Sequence, residues 1–106
     1  MAEKEYLYYF SLDGTVRFRY YHFLKKGKIT RFRIQFEALI EGKWYAIVRY
    51  DTAHGFPHRD LIHPDGAQDK LDFPGWDRNE VLTYGERDIK ANWQKYRTEF
   101  EKEMKK

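Results

Sequence analysis

Residues 29–40, ITRFRIQFEALI, alternate with a period of two. Phe32, Ile34, Phe36, Ala38 and Ile40 fall on one side of an extended chain, and Arg31, Arg33, Gln35 and Glu37 on the other. A helix with 3.6 residues per turn would scatter those apolar side chains around its circumference. The stretch is therefore expected to be a strand of an antiparallel sheet with one buried and one polar face. Its neighbours follow the same rule. TVRFRYYHFL sets Val16, Phe18, Tyr20 and His22 against Arg17, Arg19, Tyr21 and Phe23. WYAIVRYD predicts Trp44, Ala46, Val48 and Tyr50 on one side and Tyr45, Ile47, Arg49 and Asp51 on the other. KEYLYYFS and HRDLIH read as two further strands. Asp13-Gly14 and Glu41-Gly42-Lys43 supply hairpin turns, while Gly55, Pro57 and Pro64-Asp65-Gly66 bound the last strand. Residues 66–76 are expected to form a loop.

The period then changes. Asp77 with Glu80 three residues on is a capping-box pattern, and Leu82, Ile89, Trp93, Tyr96 and Phe100 recur at helical spacing. One amphipathic helix is predicted from about Arg78 to about Met104. Gly85 lies on its apolar stripe, where a close approach to the sheet would use it. The expected architecture is α+β: an antiparallel sheet of about five strands packed against one long C-terminal helix. At 106 residues the chain is read as a single domain, residues 1–106.

Several function classes are excluded by composition. With no cysteine, neither a disulfide framework nor a thiolate metal site can form. No apolar run approaches the roughly 20 residues that cross a bilayer, and the start MAEKEYLYYF is not a secretion signal. A cytoplasmic protein without a membrane partner is expected. The pattern specifies no oligomeric state.

Charge is distributed unevenly. Between Gly14 and Phe36 stand Arg17, Arg19, Lys25, Lys26, Lys28, Arg31 and Arg33 without one Asp or Glu, although the whole chain is only +3. If strands two and three pair, Arg17, Arg19, Arg31 and Arg33 share a face with Tyr21 and Phe23. Guanidinium groups attract phosphates and exposed rings stack on unpaired bases, so RNA or another single-stranded nucleic acid is a candidate partner. The same residues also serve as a solvated face whose arginine stems cover aromatic surface.

RYDTAHGFPHRDLIHPDG, residues 49–66, holds three of the four histidines. Imidazole changes protonation near neutral pH, so His54 and His58 are candidates for general acid and base, with Arg49 or Arg59 as phosphate clamp and Asp51 or Asp60 orienting a ring. Such a set cleaves RNA without a metal. Strand parity places His58 and Asp60 on one face and Arg59 and His63 on the other. The segment is equally readable as a shaped turn, since Asp, Thr, Gly and Pro all favour bends. A metal held by His54, His58 and an aspartate is a lesser alternative because the spacing matches no zinc pattern. No metal or cofactor is assigned.

VRYDTAHGFPHRDLIHPDG, with FEALIEGKWYAI before it and LTYGERDIKANWQKYRTEF after it, resembles a family of small prokaryotic proteins known as a domain of unknown function, over roughly residues 30–100. A looser resemblance is to the TumE-type toxins of toxin–antitoxin systems. It is carried by RYD, a turn with His and Pro, a His-bearing strand and a C-terminal amphipathic helix. The matching positions are Arg49, Tyr50, Asp51, His54, Pro57 and His58. That likeness implies a small basic RNA-directed toxin neutralised by a helix-turn-helix antitoxin. HRDLIHPDG stands where the toxin motif has paired histidines.

Overall fold

The computed structural model describes residues 2–53 and 55–106. The alternating segments form β1 (Ala2–Tyr9), β2 (Val16–Lys25), β3 (Lys28–Ile40), β4 (Lys43–Asp51) and β5 (His58–Ile62), and they are joined by a sixth strand, β6 (Gln68–Asp72). The expectation of a loop over residues 66–76 is thus corrected. Every β6 side chain is exposed, so the strand carries no buried alternation and forms because β5 offers it an edge. All neighbours pair antiparallel in the order β1-β2-β3-β4-β5-β6.

Two hairpins close through two-residue turns with left-handed backbone at both positions, Lys26-Gly27 (φ 52° and 75°) and Glu41-Gly42 (φ 52° and 79°). This is the type I′ geometry that matches strand twist. Asp13-Gly14 behaves differently. Only Gly14 is left-handed, and six residues separate β1 from β2. The Asp13 carboxylate organises that loop by accepting hydrogen bonds from the Ser11 hydroxyl and from the Thr15 amide and hydroxyl.

β4 departs from simple alternation. Val48 pairs with Phe36 and Ala46 with Glu37, leaving Ile47 as an extra residue. The bulge flips the first half of the strand. Tyr45 packs against Phe100, and Ile47 lies beside Tyr96 and Phe100. Trp44 lies instead under the Arg17 guanidinium, 3.7 Å from its ring centre. The expected grouping of Trp44 and Ala46 with Val48 and Tyr50 is therefore overturned.

The helix α1 (Arg78–Met104) starts at the capping box: the Asp77 side chain accepts from the Glu80 amide and the Glu80 side chain from the Asp77 amide. It packs on β3 and β4, burying Val81, Leu82, Ile89 and Phe100 against Ile34, Phe36, Val48 and Tyr50. No helix among the described residues is long and apolar enough to cross a membrane. Half-buried Asp88 ties the layers together by accepting from the Tyr50 and Tyr96 hydroxyls, each at 2.7 Å. Burial and that carboxylate push both phenols well above their ordinary range.

At Gly85 the layers touch. A methyl group there would lie 2.8 Å from Ile34 Cδ1 and 2.8 Å from Tyr50 Cγ. Gly85→Ala gains about 1 kcal/mol of helix propensity, but the ring of Tyr50 cannot yield and overpacking costs about 1–3 kcal/mol. Net destabilisation in urea unfolding is expected; a stabilised variant would show that the layers are not in contact there.

His63 clamps the far end. Its Nε2 lies 2.8 Å from Asp69 and its Nδ1 2.8 Å from Glu103, joining the β5–β6 hairpin to the last turn of α1. Hydrogen bonds that its ring donates to these carboxylates raise its pKa. A raised folded-state pKa means that the clamp is fully present below the unfolded value of about 6.5. It is lost as pH rises through the higher folded value. The urea midpoints of the parent and His63→Gln should therefore differ most near pH 6 and converge in alkali; a gap independent of pH would contradict the clamp.

Candidate functional site

With α1 on one side, the opposite face of the sheet is left without a helix, and strand parity decides what stands on it. β2 contributes Arg17, Arg19, Tyr21 and Phe23, β3 contributes Arg31, Arg33, Gln35 and Glu37, β4 contributes Arg49 and Asp51, and β5 contributes His58 and Asp60. The sheet brings the four strand arginines to one face. It also brings acids to them that the segment from Gly14 to Phe36 lacks.

Arg17 and Glu37 are cross-strand partners. Arg17 Nε donates to one Glu37 oxygen at 2.5 Å, and Arg19 Nε to the other at 2.9 Å. Gln35 also donates to Glu37 and accepts from Arg49 Nε at 2.7 Å. The Arg17 side chain is only 15% exposed and is committed to Glu37 and Trp44. Arg19 and Arg33 remain about half-exposed, at 51% and 52%. Arg31 is exposed, with its guanidinium 4.6 Å over the Phe23 ring. The Tyr21 hydroxyl donates to Glu3.

The histidine segment folds over the end of this face. Thr52 exchanges hydrogen bonds with the Phe32 backbone, the Gly55 amide donates to the Thr52 carbonyl, and Arg78 at the start of α1 donates to the Gly55 carbonyl at 2.7 Å. Gly55 takes a φ of 85°, which suits the residue without a Cβ. The turn leads into His58, 1% exposed, whose Nε2 lies 2.8 Å from Asp51 and 3.4 Å from Asp60. Asp51 also accepts from the Ala53 amide at 3.2 Å and pairs with Arg33 at 3.2 Å. His58, Asp51 and Asp60 are thus brought together under Arg33, with Arg49 opposite Asp60 in the register.

His54 lies outside the described residues, and one other candidate residue does not join the group. Arg59 points to the helix side, near enough to Tyr50 and Tyr96 to act on their hydroxyls electrostatically, so it is separated from His58 by the thickness of the sheet. Glu37 is the residue that sequence reasoning passed over. Its parity with Arg31 and Arg33 was visible, but its partners Arg17 and Arg19 depend on the β2–β3 register. A cavity of about 720 Å³ lies at the sheet end between Leu24, Ile29, Phe56, Trp76 and Arg78, and Asp51 does not line it.

These features define a class: an α+β protein whose antiparallel sheet carries one helix and presents a charged, aromatic open face. Residues 1–106 match the family described as a domain of unknown function, DUF7718, and the chain belongs to that family. No curated protein and no solved structure matches it.

Removing one member of a buried charged group leaves its partners desolvated and uncompensated, a loss of about 3 kcal/mol or more. Asp51→Asn should destabilise on that scale in urea unfolding. Arg19→Ala, which removes a half-exposed partner of Glu37, should cost less than about 1 kcal/mol. Equal effects would mean that the Asp51 cluster is as solvated as the rim.

Proposed function

We propose that this chain is an RNA-directed, single-stranded nucleic-acid-binding protein that works through the open face of its sheet. The reading rests on the cross-strand pattern of β2 and β3. Arg31 stands opposite Phe23 and Arg33 opposite Tyr21, with Arg19 one step further along. Cations and rings therefore alternate across an uncovered surface, the combination that holds a phosphate backbone and stacks its bases. Two adjoining depressions of about 410 and 330 Å³ share Tyr21 and Arg33 in their walls. Their lining carries Arg19, Arg31 and Arg33 against Glu5 and the already paired Asp51. Arg17 contributes to the field of the face rather than to direct contact.

A toxin-type ribonuclease neutralised by a helix-turn-helix antitoxin, the setting implied by the resemblance in RYDTAHGFPH, asks more of the same face. Its general base would be His58, and at 1% exposure that imidazole must be uncovered before it meets a 2′-hydroxyl. Binding uses only side chains already at the surface.

Fluorescence anisotropy with a labelled single-stranded RNA of roughly 12 nucleotides tests both. Arg19→Gln and Arg31→Gln should each reduce the slope of log K against log salt by about 0.7, while Arg59→Gln on the helix side leaves it unchanged. A parent that does not bind at low salt, or slopes indifferent to both arginines, would overturn the proposal. RNA that stays full length in chelator supports binding alone; cleavage abolished by His58→Ala would replace it with the ribonuclease reading.

A further inference from the structure

Beyond its part in strand pairing, one buried cluster has the composition of a ligand set. Asp51, His58 and Asp60 each place one donor atom within 4.8 Å of the other two. The three residues are 3%, 1% and 4% exposed. His58 Nε2 lies between the two carboxylates, 2.8 Å from Asp51 Oδ1 and 3.4 Å from Asp60 Oδ2. On the other side of the ring, Nδ1 lies 3.4 Å from the Phe56 carbonyl oxygen. A metal-binding imidazole is usually held this way, with one N–H on a backbone carbonyl and the opposite lone pair left for the ion.

With Nδ1–H on that carbonyl, a bare Nε2 lone pair would face two carboxylate oxygens, and only a positive charge at their midst relieves the repulsion. A single proton on Nε2 points at one acceptor, and Asp51 is the nearer. Asp60 is then poorly served: its Oδ1 is buried and has no hydrogen-bond partner. An orphaned, desolvated carboxylate oxygen is unfavourable by several kcal/mol in general, and a divalent cation would satisfy both acids at once.

We propose that Asp51, His58 and Asp60 bind a divalent first-row transition cation of the Mn²⁺, Fe²⁺, Co²⁺ or Zn²⁺ class. One imidazole with two carboxylates suits these ions better than Mg²⁺ or Ca²⁺, which take oxygen donors. Bonds of about 2.0–2.2 Å separate adjacent ligand atoms by roughly 3–3.5 Å, close to the spacings around Nε2. Arg33 holds the second Asp51 oxygen at 3.2 Å and the Ala53 amide donates to the first at 3.2 Å, so the ligand is oriented from outside the site. The site stands independently of nucleic-acid binding.

The test uses the full chain, treated with chelator, exchanged into metal-free buffer and titrated calorimetrically with Zn²⁺ and with Mn²⁺. About one equivalent should bind. Asp60→Asn should weaken the affinity at least about tenfold, whereas Asp69→Asn, at the exposed carboxylates beside His63, leaves it unchanged. Should Asp60→Asn fail to unfold cooperatively, the parent alone decides. Substoichiometric Mn²⁺ should broaden the amide resonances of residues 51–53 and 58–60 before any others. Failure of the parent to take up either ion below millimolar concentration, or broadening centred on Asp69 and Glu103, would overturn the site and leave His58 as a structural hydrogen-bond partner of two aspartates.

Discussion

The extra residue at Ile47 is the constraint on which both faces of the sheet depend. A strand without it would put Tyr45 on the same side as Arg49 and Asp51, because successive side chains alternate. The bulge inserts one residue between the Phe36–Val48 and Glu37–Ala46 pairs. Tyr45, Ile47, Val48 and Tyr50 can then all meet α1, while Trp44, Arg49 and Asp51 stay on the open side. One helix supplies the cover for the sheet, and it reaches β3 and β4. Filling that contact from a single strand requires more apolar side chains than strict alternation provides.

On the open face, charge does what apolar packing does on the other. Glu37, Asp51, His58 and Asp60 are buried although no helix lies over them, and Glu37, Asp51 and His58 find partners on neighbouring strands. Arg17 to Glu37 links β2 with β3, Arg33 to Asp51 links β3 with β4, and Asp51 to His58 links β4 with β5. A slip of one residue in any pair would strand these charges without partners, so the network specifies register more than it adds stability. It also leaves Arg19, Arg31 and Arg33 as the cations still turned to solvent, with Tyr21 and Phe23 between them.

Much of the architecture was legible in the chain because it follows from local periodicity. The alternation of Phe32, Ile34, Phe36, Ala38 and Ile40 marked β3, and the Asp77–Glu80 pair marked the start of α1. Gly85 on the apolar stripe pointed to the tight helix–sheet contact. β6 was not legible, since Gln68–Asp72 has no alternation to read and gains its order from the edge of β5. The turn at Asp13-Gly14 has the residues of a tight hairpin, but the Asp13 carboxylate bonds Ser11 and Thr15 and builds a wider loop. At the candidate site, parity alone separated His58 and Asp60 from Arg59. It could not bring Asp51 to His58 or Glu37 to Arg17, because those contacts join residues on different strands.

What the sequence determined by itself is therefore what depends on one residue and its near neighbours: which segments are strands, where the helix begins, and which side chains share a face within a strand. The tertiary structure decided which strand residues stand opposite one another, where β4 breaks its alternation, and which arginines stay turned to solvent. The physical reason is range. Backbone preference and hydrophobic alternation act over a few residues, whereas the pairing of buried charges is set by the register of strands that meet only when the whole sheet is formed.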